Sequence, residues 1–293
     1  MRRETSSSRG SHPSSDRYPG DALHTHWTRL HQTDREPWPD ARLIGALAKR
    51  HAQLGSVVAA GGGATVVAQT LQEAWRQFHA GAFARAISTG AELGALGASV
   101  ANTAAAVDSL YSTRSPAQLL KGLEAAVARG ERAAIELPDQ LNVHYTLALV
   151  LGRYSQRISI LKALAAGLAG KVREHLERTL ALDARHAEAH VAFGLYHAEI
   201  VNKLGSIAAG LTYGATAGTA LEHFRRAVAL APDSPIIRME YAHGLLLLDA
   251  NRHQGEARTL YEQAAACEPA DEMERLDVAR AKRGLQEHAS SSR

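Results

Sequence analysis

Apolar positions along this chain recur at helical spacing and seldom alternate over a strand's length, which predicts helix nearly throughout. Val67, Leu71, Trp75 and Phe78 form one stripe over 64–79, Gly81 supplies a turn, and Ala86 and Ile87 face inward on a return helix over 83–93. So short a link argues for an antiparallel helical hairpin. Asp40 is placed to cap a helix over 41–58, which the glycine triplet Gly61–Gly63 interrupts. A helix over 100–111 follows. Ser115 and Pro116 then open a long helix, with Gly130 as a candidate break and Pro138 as its stop. Near the end, Asp233 and Ser234 open a helix over 235–249, 251–255 turns it, and 256–267 returns. Asp271 caps a last helix whose apolar face carries Leu276, Ala279 and Leu285. Arg275, Arg280, Lys282 and Arg283 are expected to face water. The total comes to about eleven or twelve helices and no sheet.

The central stretch, His186 to Pro232, has a register. With Pro138 at position 32 of a 34-residue unit, His144, Leu147 and Ala148 occupy positions 4, 7 and 8 of the next. Ala184 closes that unit and places His190, Phe193 and Gly194 at the same three positions. Counting back from Pro232 gives Ala220, Phe224 and Ala227 at positions 20, 24 and 27. Pro269 gives Ala257, Tyr261 and Ala264. Large residues at 4, 7 and 24 with small ones at 8, 20 and 27 let paired helices approach closely.

On these residues the chain resembles the tetratricopeptide repeat family of helical hairpins, well over 138–269 and weakly over 64–137. It is similar to an irregular bacterial subfamily of such proteins and distantly to the regulator of microtubule dynamics proteins. The resemblance implies an all-α, right-handed solenoid with an adaptor-like role and no settled chemistry. It divides the chain into a polar tail (1–39), degenerate hairpins (40–137), repeats with insertions (138–269) and a capping helix (270–288).

The units are longer than the family's. Pro138 to Ala184 spans 46 residues and Ala184 to Pro232 spans 48. The extra residues lie at 154–171 and 196–218. Gly152, Tyr154 and Ile158 recur as Gly194, Tyr196 and Ile200, and Gly167 and Leu168 recur as Gly210 and Leu211, so the insertion was duplicated with its repeat. Each is expected to carry a short helix, near 158–167 and 204–211. The two helices should stack on each other, because their apolar runs would otherwise be exposed.

Composition narrows the function. The formal charge of +3 on 293 residues, with a pI near 9.1, reflects a modest arginine excess and not a basic stripe, so no nucleic-acid partner is expected. Residues 1–39, rich in Ser, Arg, His, Asp and Pro, have no period and are expected to be disordered. Cys267 stands alone, which excludes an intrachain disulfide and a thiolate metal site and suits a cytoplasmic location. No apolar segment follows Met1 as a signal peptide would. Residues 54–68 resemble a displaced export segment faintly, but are too glycine-rich to span a membrane well.

Candidate chemistry is sparse. There is no nucleophile elbow, P-loop or dinucleotide fingerprint, and Gly167–Lys171 is too short for a Walker loop. His186 and His190 have i,i+4 ligand spacing, but Glu188 lies between them and His190 fills a packing position. Neither a cofactor nor a metal is expected, nor catalysis. In the resembled architecture the first helix of each hairpin lines the concave side. Its exposed positions are Asn142, Tyr145, Leu149 and Arg153, then Glu188, Val191, Leu195 and Glu199. Asn142, Tyr145, Arg153, Glu188 and Glu199 are therefore the candidate peptide-binding residues. The family's clamp for acidic C-termini is missing, so a neutral or mixed-charge protein segment is the expected partner. The alternatives are a small-molecule or metal-dependent site between the insertions near His197 and Glu199, and a protein that self-associates.

Overall fold

A computed structural model describes residues 18–291, with side chains through 286. Among the described residues the chain is all-helical and strand-free, and consecutive helices pack in pairs as in helical-repeat proteins. The helices are α1 (Ala22–Leu30), α2 (Ala41–Arg50), α3 (Leu54–Ala60), α4 (Ala64–His79), α5 (Phe83–Glu92), α6 (Ala98–Tyr111), α7 (Pro116–Glu136) and α8 (Leu141–Ser155). Then come α9 (Ile160–Ala165), α10 (Leu168–Leu182), α11 (Ala187–Leu204), α12 (Ser206–Tyr213), α13 (Ala217–Leu230), α14 (Pro235–Ala265) and α15 (Glu272–Ser291).

Local chemistry explains most boundaries. Asp40 caps α2 by accepting from Leu43 N–H at 2.7 Å, but the helix stops at Arg50, short of the expected 58, and α3 restarts after a turn. Ser115 and Gln118 form a reciprocal capping box with Pro116 in the first turn of α7. That helix runs unbroken through Gly130, where a β-carbon would come within 2.9 Å of both Asn102 and Leu147. The glycine there admits two neighbours and does not break the helix. In α14 the bend falls at Asp249, in extended conformation, and not at 251–255. Asp249 Oδ1 accepts from Arg252 N–H at 3.1 Å, so the return helix begins at once.

The hairpins are α4–α5, α6–α7, α8–α10, α11–α13 and the two halves of α14. The packing register holds where it was strongest. Phe224, fully buried, sits between Gly194 and Gly244, where added β-carbons would lie 2.5 and 2.1 Å from its ring. His144 and His190, both at position 4, repeat one contact pattern. Each has Nε2 at 3.0 Å from the carbonyl of the closing residue, Pro138 or Ala184, and Nδ1 beside a histidine of the return helix, His175 or His223.

Two expectations are corrected. Residues 18–39 are not a disordered tail: α1 buries Leu23 and Trp27 against Trp75, and Trp38 packs on the same cluster. Residues 1–17 lie outside the described residues. The insertions do form short helices, but α9 packs on α10 and α12 on α11, without the mutual stacking that would cover them. Ile160, Leu161, Leu164, Ile207 and Leu211 are left exposed.

The row of cores returns to its start. Ala281 and Leu285 of α15 join the cluster of α11, α13 and α14, while Met273 and Leu276 of the same helix pack on the cluster of α1 and α4. No single described helix is long and apolar enough to cross a membrane. Leu54–Ala60 and Ala64–His79 reach that length only as a pair, and they are bent by 85° at the glycine triplet.

Candidate functional site

The first helices of the hairpins turn polar residues toward one interior, and residues 18–39 run through it. Arg29 of α1 makes a two-pronged ion pair with Glu274 of α15, at 2.7 and 3.0 Å. Past α1 the chain turns over residues 31–34, where His31 carbonyl accepts from Arg35 N–H at 2.9 Å, and then runs to Asp40 without helix or strand. Thr33 carbonyl accepts from Glu188 N–H at 3.2 Å, and Thr33 Oγ1 donates to Glu188 Oε1 at 2.6 Å. Arg35 pairs with Asp183 at 2.6 Å, Asn142 donates to Glu36 Oε2 at 2.6 Å, and Trp27 Nε1–H donates to Glu36 carbonyl at 2.8 Å. A polar strap thus satisfies polar groups that helices α8, α11 and α15 would otherwise bury alone.

Four side chains form a continuous buried line across the strap. Asp34 accepts from His31 Nδ1 at 3.0 Å, the Nε2 atoms of His31 and His79 are 3.2 Å apart, and His79 Nδ1 donates to Asp271 Oδ2 at 2.7 Å. Only one proton fits between the two Nε2 atoms. Burial pulls the His31 imidazole down, but Asp34, Glu36 and Glu188 outweigh it and hold His31 above the ordinary histidine value. Burial prevails at His79 and depresses it despite Asp271. The charged His31 therefore donates to both neighbours, and neutral His79 accepts on Nε2.

Burial, reinforced by Asp34, pushes Glu36 and Glu188 up to about 7. His186, the N-cap of α11, accepts from Ala189 N–H on Nδ1 and donates from Nε2 to Asn142 at 2.9 Å; burial drives it down to about 4. Tyr145 lies against this ring, with centroids 4.5 Å apart, and hydrogen-bonds to Glu188. Burial and then Glu188 hold its hydroxyl well above the usual tyrosine value. Burial would also raise Glu240, but Arg280 at 3.1 Å and Arg153 hold it below its ordinary value. Arg280 thus points inward and not to water. Asp277, buried beside it, is pushed far up by burial and by Glu240.

Asn142, Tyr145, Arg153 and Glu188 therefore line the same interior, but Asn142 and Tyr145 are each only 5% exposed and Glu188 is covered by Thr33. Glu199 lies apart, on the surface, between Gln156 at 3.0 Å and Lys203 at 2.8 Å. The sequence reading missed the interior role of His31, Asp34, Glu36, His79, Asp271 and Glu240, naming only Asp271, as a helix cap. They are scattered over four distant stretches with no shared spacing.

His197 is buried among Phe193, Tyr196 and His223, with no hydrogen-bond partner on either ring nitrogen, and burial and then His223 bring it down to about 4. A cavity of about 290 Å³ lies elsewhere, between strap residues 35–39, α2 and the start of α8; neither His197 nor Glu199 lines it. Among the described residues no three His, Cys, Asp or Glu side chains are grouped to hold a metal ion. The sequence matches no protein-family model and no curated protein.

Proposed function

We propose that the chain is a non-catalytic scaffold of tetratricopeptide-like hairpins that holds a protein or peptide segment along its inner side, and that residues 18–39 are one such segment. The observation that carries this reading is the non-helical stretch 33–36, which leaves the turn after α1. Its backbone and side chains are gripped by Glu188 and Asn142, two of the residues the repeat register assigns to ligand contact. The strap is mixed in charge, with Asp34, Arg35 and Glu36 in succession, which suits the partner chemistry expected of a groove with both signs. Stacked hairpins offer long curved surfaces suited to extended ligands. A partner segment of like composition exchanges with the strap, and the strap's attachment to the chain gives it a high effective concentration that a partner must overcome.

The test is affinity capture from the native cell with three forms of the chain. Thr33→Ala with Glu36→Ala weakens the strap and increases capture of a partner segment over the intact form. Adding Asn142→Ala and Glu188→Ala abolishes that capture while circular dichroism remains helical. A partner captured equally by all three forms refutes the assignment of the inner side.

A further inference from the structure

The edge of the array carrying α9 and α12 has no role in the interior. Of the nine large hydrophobic side chains left exposed among the described residues, six are here. Leu161 is 79% exposed, Ile207 82% and Leu211 86%, with Ile160, Leu164 and Leu204 beside them in the same two segments. The segments belong to one edge, since Arg173 at the start of α10 donates to Tyr213 carbonyl at the end of α12, at 3.1 Å. Gln156 after α8 likewise meets Glu199 of α11 at 3.0 Å.

The charges carried by these two segments themselves have one sign. No Asp or Glu occurs from 140 to 173 or from 200 to 221, while Arg157, Lys162, Lys171, Arg173 and Lys203 fall within those stretches. Lys162, on α9 itself, pairs with no carboxylate among the described residues. Lys171, Arg173 and Lys203 share Glu131, Glu177 and Glu199 at half-exposed sites, and such surface pairs exchange partners at little cost. We propose that this edge docks on an anionic lipid bilayer, with Ile160, Leu161, Ile207 and Leu211 entering the headgroup boundary and Lys162 meeting lipid phosphate.

A bilayer fits better than a protein partner for two reasons. The aliphatic side chains project from short helices, and they line neither the cavity beside the strap nor the one between His144 and His175. Their backbone groups are also largely satisfied from within: Ser159 caps α9, and Gly214 in left-handed conformation closes α12 onto Gly210. Short helices of this kind enter the interface without baring unpaired amides.

The experiment is co-sedimentation of the full chain with phosphatidylcholine vesicles, with and without phosphatidylserine. The intact chain binds the anionic vesicles, binds neutral ones at least about tenfold more weakly, and is released by salt. Leu161→Asp with Leu211→Asp lowers anionic binding at least about tenfold with an unchanged helical spectrum, because both side chains already face water. Lys162→Glu lowers binding to anionic vesicles alone. No binding by the intact chain, or equal binding by the double variant, overturns the proposal. So does an intact chain that sediments as a dimer, is made monomeric by the double variant and ignores vesicles, which makes the edge a protein interface.

Discussion

Glu188 shows how neighbours set the chemistry of a single residue. On an isolated helix it is an ordinary carboxylate; here it is buried near Asp34 and accepts from Thr33. Its folded value of about 7, and that of Glu36, lie above the ordinary 4.5. Between those limits the native state keeps protons that the unfolded chain has lost, so stability falls as pH rises through this window. His31 acts in the same direction, its contribution present below 6.5 and lost as pH rises through its raised folded value. His79, His186, His197 and His223 act oppositely, but only up to the ordinary histidine value, above which both states are neutral. The midpoint of urea unfolding should therefore fall between pH 6.5 and 8. Glu188→Gln, which keeps the acceptor for Thr33 and cannot ionise, should make that fall shallower. An unchanged slope would mean that Glu188 does not titrate there.

Among the elements, the insertions show what periodicity can and cannot specify. Their apolar residues form helices near the expected places, but α9 has too few neighbours to bury its own. Leu161 is 79% exposed, whereas Leu168, at the start of α10, is 4% exposed and joins the core of α6, α7 and α8. Leu161→Ala should shift stability by no more than about 0.5 kcal/mol. Leu168→Ala should cost about 2–5 kcal/mol through lost burial and the cavity left behind. Urea denaturation of the two variants measures the difference. Equal costs would place α9 inside the cooperative core.

For the whole molecule, α15 is the decisive element, because it touches both the last core and the first. Repeat arrays open at their ends can unfold in parts. A row joined end to start by His79–Asp271, Arg29–Glu274 and the packing of Met273 should unfold as one unit. All three tryptophans, Trp27, Trp38 and Trp75, lie in the N-terminal cluster, while circular dichroism reports every helix. The two probes should give coincident transitions in the intact chain. Asp271→Ala strands the His79 donor at a cost of about 1–3 kcal/mol and should pull the fluorescence transition to lower urea than the circular dichroism. Coincident transitions in the variant would show that closure does not couple the ends.

The sequence by itself determined most of the helices from α4 onward and the pairing of those in the repeat register. Alternation of large and small residues is a local signal: the close approach of Phe224 to Gly194 and the matched environments of His144 and His190 follow from spacing along the chain. Caps such as Asp40 and Ser115 are equally local. What only the tertiary structure decided is where the polar residues go. The strap 18–39 reads as solvated because most of its residues are polar, yet it is ordered because the interior it crosses is polar too. Hydropathy cannot separate a residue satisfied by water from one satisfied by Glu188 or Asn142. The line from Asp34 to Asp271 joins residues more than two hundred positions apart and has no signature along the chain. Asn142, Tyr145, Arg153 and Glu188 could be grouped from the repeat register, since first helices share one side. That this side is filled by the strap and closed by α15 depends on the curvature of the array, which the spacing of residues does not encode.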